Sequence, residues 1–133
     1  MNRLSAVVTN IEGEQNLHII TFDCAGNNFK MMGLDLPKGL RVNAHVTLGI
    51  KPSHVAIAKN LSGELSYSNQ LPATIISIEN GKLLSSILLQ ANENEMQSFI
   101  TLGSSLRMNL HIGDQVTLLI KASELFVLEV LDV

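Results

Sequence analysis

The chain repeats itself, and that repeat constrains its fold more than any single motif does. Asn2-Arg3-Leu4-Ser5-Ala6-Val7-Val8-Thr9-Asn10-Ile11-Glu12 aligns with Asn69-Gln70-Leu71-Pro72-Ala73-Thr74-Ile75-Ile76-Ser77-Ile78-Glu79, with Asn, Leu, Ala, Ile and Glu coinciding. Leu40-Arg41-Val42 then faces Leu110-His111-Ile112. Val46-Thr47-Leu48-Gly49-Ile50-Lys51-Pro52-Ser53 faces Val116-Thr117-Leu118-Leu119-Ile120-Lys121-Ala122-Ser123. The offset grows from 67 (Asn2 to Asn69) to 70 (Val46 to Val116), so the second copy carries three extra residues between these blocks. A fixed internal period means two like units, each built the same way.

Within each copy the signals are those of strands. Leu17 to Phe22 leads into the turn signal Gly26-Asn27-Asn28, and Phe29 to Met32 returns. In the second copy Lys82 to Leu89 is a strand, Ala91 to Glu95 a polar turn, and Met96 to Leu102 the return. Val46 to Ile50 and Val116 to Ile120 read as buried strands, followed by Val55 to Ala58 and Leu125 to Leu128. Gly39 and the pair Gly113-Asp114 mark turns before the buried strands. Gly103 to Leu110 is the one helical segment, with Asp35 to Leu40 its shorter counterpart. The expected class is all-β: two tandem small barrels of oligonucleotide/oligosaccharide-binding (OB) type, each about five strands with a short helical turn. The first repeat is expected over residues 1–59 and the second over 66–133. Residues 60–65 form a linker too short to let the copies roam.

Composition narrows the function. A core of Val, Ile and Leu with no tryptophan and a single tyrosine is no aromatic stacking platform. A formal net charge of −3 gives no long-range pull on nucleic acid or an anionic membrane, so any anion site is local. The lone Cys24 has no partner for a disulfide and reads as a small apolar strand residue; a soluble, cytoplasmic protein is expected. His18, His45, His54 and His111 are scattered, without metal-ligand spacing. Gly81-Lys82 is followed by Leu83, where a phosphate-binding loop needs Ser or Thr, and no serine sits in a nucleophile elbow. No catalysis and no cofactor are expected.

Three short segments of the second copy carry a resemblance. Ser66-Tyr67-Ser68-Asn69-Gln70-Leu71-Pro72, Ile100-Thr101-Leu102-Gly103-Ser104 and Ile120-Lys121-Ala122-Ser123 occur in the order and spacing of TOBE domains, the molybdate-binding molbindin modules. The first segment stands where that family has Ser-Ala-Arg-Asn-Gln-Leu-Pro, and the last matches outright. The first copy keeps Asn2, Leu4 and Lys51-Pro52-Ser53 but has Met32-Gly33-Leu34-Asp35 at the middle segment, so it resembles a degenerate repeat. The resemblance implies a molybdate or tungstate site built from Ser66, Tyr67, Ser68, Asn69, Thr101, Ser104, Lys121, Ala122 and Ser123, and a second site at Lys51 and Ser53. It also implies that these donors gather between subunits of a homo-oligomer, a dimer or a trimer. The family's arginine is Ser68 here and its alanine is Tyr67, which leaves neutralisation of the anion mainly to Lys121.

A tetrahedral dianion has four acceptor oxygens and needs donors converging from several sides; hydroxyls, backbone N–H groups and an ammonium provide them. Taken singly, the same residues have plainer roles. Ser66 and Ser68 suit a turn, Lys121 a solvated strand end, and Thr101 a β-branched strand position. The expected function is oxyanion binding for storage, homeostasis or sensing. The alternative is a regulatory module of a molybdate-transporter ATPase or a molybdate-responsive regulator, with weak or no anion binding. A nucleic-acid-binding barrel is the third reading, and the acidic charge and sparse aromatics argue against it.

Overall fold

In each repeat a long first strand alternates buried and exposed side chains and then breaks step. In β1 (Asn2–Glu14) the residues Asn2, Leu4, Ala6 and Val8 are buried; in β6 (Asn69–Asn80) their counterparts Asn69, Leu71, Ala73 and Ile75 are. The pairing register then slips between Val8 and Asn10, and between Ile75 and Ser77. A bulge at the same place in both copies lets one strand serve two bent segments of a curled sheet. The computed structural model describes residues 1–131. The remaining strands are β2 (Leu17–Cys24), β3 (Asn27–Gly33), β4 (His45–Ile50), β5 (Ala56–Ala58), β7 (Leu84–Ala91), β8 (Asn94–Thr101), β9 (Gln115–Ile120) and β10 (Phe126–Leu131).

Two five-stranded antiparallel sheets result, in the orders β10-β4-β1-β2-β3 and β5-β9-β6-β7-β8. They are the two half-barrels of an OB-like pair, as the patterning predicts. The sheets do not follow the halves of the sequence. The last strand of each repeat crosses to the other: β5 pairs β9 with Ala56 opposite Leu119, and β10 pairs β4 with Phe126 opposite Gly49. A single core runs through both sheets, from Phe22, Phe29 and Leu48 on one side to Ile87, Met96 and Leu118 on the other.

Two buried asparagines fasten the sheets together by the same device used twice. The Asn69 amide accepts the Lys30 N–H (2.7 Å) and donates to the Lys30 carbonyl (2.9 Å). Asn2 does the same to Gln97, accepting its N–H at 2.8 Å and donating to its carbonyl at 2.9 Å. Lys30 and Gln97 are themselves equivalent, one on β3 and one on β8. Each side chain thus completes the backbone bonding of the other repeat's third strand, where an unpaired buried group would cost free energy.

The three extra residues of the second copy fall in the stretch that holds α1 (Leu102–Arg107). The Thr101 hydroxyl caps its start by accepting the Ser104 N–H at 3.1 Å, and Asn109 ends the turn at a φ of 52°. The helix is therefore shorter than the expected span from Gly103 to Leu110. Asp35 to Leu40, expected to echo it, forms only turns, because Leu34 stands where Thr101 caps the second copy. Strand β7 begins at Leu84 rather than Lys82. Gly81 turns back instead, its N–H reaching the Leu84 carbonyl at 2.8 Å.

The segment that leaves β5 is anchored on the second repeat. Lys59 donates to the Met108 and Asn109 carbonyls (3.1 and 2.8 Å) and pairs with Asp114 at 3.2 Å. The Asp114 carboxylate also accepts the His111 N–H at 2.8 Å. That backbone bond, with Lys59 beside it, holds the carboxyl below its ordinary value of 3.8. A lowered folded-state pKa stabilises the fold above the unfolded value and loses that contribution as pH falls through the folded one. Wild-type protein should therefore lose stability more steeply than Asp114→Asn as pH drops below about 4. Urea midpoints at pH 6 and pH 3 measure this, and parallel losses in the two proteins would contradict it.

Candidate functional site

The strand exchange carries each Lys-x-Ser turn onto the opposite repeat. The single-turn 3-10 helix Pro52–His54 packs against β8, and its counterpart Ala122–Glu124 packs against β3. The two turns meet, with His54 Nδ1 lying 2.8 Å from Glu124 Oε2. These residues occupy the same repeat position, 70 apart, so the pseudo-twofold axis of the molecule passes between them.

Beside that pair lies an open hollow of about 260 Å3. Ser53, His54, Val55 and Ala56 of the first repeat line one side; Tyr67, Phe99, Ile100, Lys121 and Glu124 of the second line the other. Among the described residues the Ser53 hydroxyl, the Tyr67 hydroxyl and the Lys121 ammonium have no hydrogen-bond or ion-pair partner. Three unspent donors face one space. The single carboxylate on its wall, Glu124, is engaged by His54. Lys121 is held there by local geometry: it directly follows the end of β9 and immediately precedes a 3-10 turn, with its backbone extended at φ −68°.

The predicted site residues separate into groups. Tyr67 and Lys121 line the hollow, joined by Ser53, which was expected at a second site. Ser66, Ser68 and Ser123 are exposed, Ala122 is half-buried on the turn, and none of them is part of the hollow's wall. Lys51 is exposed at the start of the other turn. Thr101 and Ser104 sit at the start of α1, bonded to each other at 3.0 Å, and Arg107 reaches Ser104 at 3.3 Å. Asn69 is 1% exposed, with both polar atoms of its side chain committed to Lys30. Sequence reasoning passed over His54, Glu124, Phe99 and Ile100. The signal for the first two was present: a histidine and a carboxylate at one repeat position.

Other hollows are chemically different. A larger one of about 590 Å3 beside α1 is lined by Ile78, Leu106, Leu110 and Ile112 together with Asn80, Ser105, Asn109 and His111, and has no lysine or arginine on its wall. Another, around Arg41 and His45, has no hydroxyl side chain on its wall. Among the described residues no three His, Cys, Asp or Glu side chains are grouped to hold a metal ion. Among the described residues no helix is long and apolar enough to cross a membrane.

The paired OB-like half-barrels have a counterpart of the same fold among known proteins. Residues 65–127 match the TOBE domain family. That match takes in just under half of the chain, essentially the second repeat, and the first repeat has the same strand order as the second. The fold of the chain matches that of the crystal structure of ModG, a cytoplasmic molybdate-binding protein, in a form with molybdate bound. The TM-score is 0.89 at 21% identity, covering 95% of this chain and 94% of the other. Among curated proteins, it is 27% identical over 110 residues to the molybdenum import ATP-binding protein ModC of Brucella abortus (strain 2308). The same figures hold for ModC of Brucella suis biovar 1 (strain 1330). The match takes in 82% of this chain but spans only 30% of the length of those relatives.

Proposed function

We propose that this protein binds a tetrahedral oxyanion of the molybdate and tungstate class in the cytoplasm, for storage, homeostasis or sensing. The observation that carries this reading is the hollow where Ser53, Tyr67 and Lys121 converge with no other partner. The shared fold with ModG and the TOBE match support the choice of anion. The role is one of binding rather than catalysis. The hydroxyls of Ser66, Ser68, Thr101, Ser104 and Ser123 lie outside the hollow, so a full donor set calls for a second chain at this face. The proposed assembly is a homo-oligomer, a dimer or a trimer. Titration calorimetry with molybdate, tungstate and sulfate, on protein whose mass is read by light scattering, tests the proposal. Heat with the first two and none with sulfate supports it; no heat with any from the oligomeric protein defeats it.

Ser68 stands where an arginine would add a second cation, and it is exposed immediately before β6 begins at Asn69. Ser68→Arg is expected to tighten molybdate binding by about tenfold, the worth of one charge-assisted hydrogen bond. Unchanged or weaker binding would place the anion elsewhere.

A second reading rests on the match to ModC over most of the chain: a regulatory module that partners a molybdate-transporter ATPase. Silence in titration together with a stable complex in a pull-down against that ATPase would favour it.

A further inference from the structure

Strands β4 and β9 are nearly the same strand. Val46-Thr47-Leu48-Gly49-Ile50 and Val116-Thr117-Leu118-Leu119-Ile120 differ at one position, and both present the same edge to an incoming partner. Backbone hydrogen bonding alone cannot tell β5 from β10 at either edge. Each is an antiparallel strand arriving after a one-turn 3-10 helix, and a direct return onto its own repeat needs only the residues between Ile50 and Ala56 as a loop. Some side-chain feature must choose the crossed pairing.

The one differing position supplies it. A Cβ on Gly49 would stand 2.8 Å from both Phe126 and Leu128 of β10, closer than carbon atoms pack. The small residue in β4 thus receives the large pair of β10. At the other edge Leu119 in β9 lies opposite Ala56 in a strand whose sequence is Ala56-Ile57-Ala58. Large meets small at both edges. In the uncrossed arrangement Leu119 would collide with Phe126 and Leu128, while Gly49 opposite Ala56 and Ala58 would leave a void. Overpacking and cavities are both destabilising, so both edges favour the exchange.

We infer that the size match of Gly49 with Phe126 and Leu128, and of Leu119 with Ala56 and Ala58, selects the crossed pairing. Through it, Gly49 and Leu119 act as positioning residues for the hollow, because only the exchange brings Ser53 and His54 to the wall that holds Tyr67 and Lys121. The pairing part stands on packing alone; the part concerning the hollow rests on the oxyanion reading.

Introduced cysteine pairs report the pairing. Ala58 lies opposite Thr117 in the crossed sheet and would lie opposite Thr47 in the uncrossed one. Cys24 is buried and stays out of the reaction. Under mild oxidation, Ala58→Cys with Thr117→Cys should form its disulfide at least about tenfold faster than Ala58→Cys with Thr47→Cys. In a Gly49→Leu, Leu119→Gly background that preference should reverse. Should this background fail to fold, Gly49→Leu with Phe126→Ala and Leu128→Ala makes both edges alike. That variant should fold and form either disulfide within about threefold of the other. Retention of the original preference in either background overturns the inference, as does failure of the size-equalised variant to fold. Molybdate titration of the reversed variant adds a separate arm. Weakened binding there, with wild type binding, supports the positioning role, and unchanged binding removes it. If wild-type protein binds no molybdate, the oxyanion reading fails while the disulfide result still decides the pairing.

Discussion

Asn69→Ala should lower the unfolding free energy by about 2–5 kcal/mol, a large share of the stability of a domain this size. The side chain is almost fully buried, and both of its polar atoms bond to the Lys30 backbone in the other repeat. Alanine leaves a buried N–H and carbonyl without their side-chain partner, so the loss exceeds the net worth of two ordinary hydrogen bonds. Asn69→Asp separates the two terms. A carboxylate still accepts from the Lys30 N–H but cannot donate to the Lys30 carbonyl, and it buries a charge. Urea unfolding at neutral pH should give a reduced midpoint for both variants with the slope unchanged, as expected when packing is lost without a change in the surface exposed. A loss below about 1 kcal/mol for Asn69→Ala would mean that water or backbone movement replaces the clasp.

The same residue shows where reading the sequence runs out. Asn2 and Asn69 are among the few polar identities the two copies share, and in the anion motif Asn69 looks like a ligand. Whether an asparagine faces a ligand or another strand depends on which strand passes beneath it, and that strand lies 39 residues away. The strands themselves were legible, because alternation within β1 and β6 and the apolar runs of β4 and β9 are local properties. The crossing of β5 and β10 was not, since two nearly identical edges give local pattern nothing to distinguish. Yet its determinant lay in the repeat alignment. Gly49 aligns with Leu119, and Ala56-Ile57-Ala58 with Phe126-Val127-Leu128. The small edge and small strand both belong to the first repeat, the large ones to the second, and only crossing pairs large with small. Of the site, Tyr67 and Lys121 were anticipated, and Ser53 was assigned to a second site. Only the crossing brings it to the same hollow. Thr101 and Ser104 satisfy each other at the start of α1, a capping role their spacing equally well encodes.

Lys121→Ala is expected to weaken molybdate binding by about 10- to 100-fold, the range of a hydrogen bond to a charged group. Lys121 is the one permanent cation on the wall of the hollow, and the wall also carries Glu124. His54 engages that carboxylate at 2.8 Å, but without Lys121 an approaching dianion would meet a negative group with no ammonium to offset it. Lys121→Arg keeps the charge and should stay within about tenfold of wild type, losing ground only because a planar fork replaces a compact point charge. Lys51 supplies the control. It occupies the same repeat position but does not line the hollow, so Lys51→Ala should bind within about threefold of wild type. Stability should hardly change in either variant, because both lysines are exposed. Calorimetric titration at two salt concentrations gives a second readout: binding by Lys121→Ala should depend less on salt than binding by wild type, one screened charge having been removed. Equal losses in Lys51→Ala and Lys121→Ala would instead point to two pseudo-equivalent sites, one at each Lys-x-Ser turn. No loss in Lys121→Ala would move the anion out of this hollow altogether.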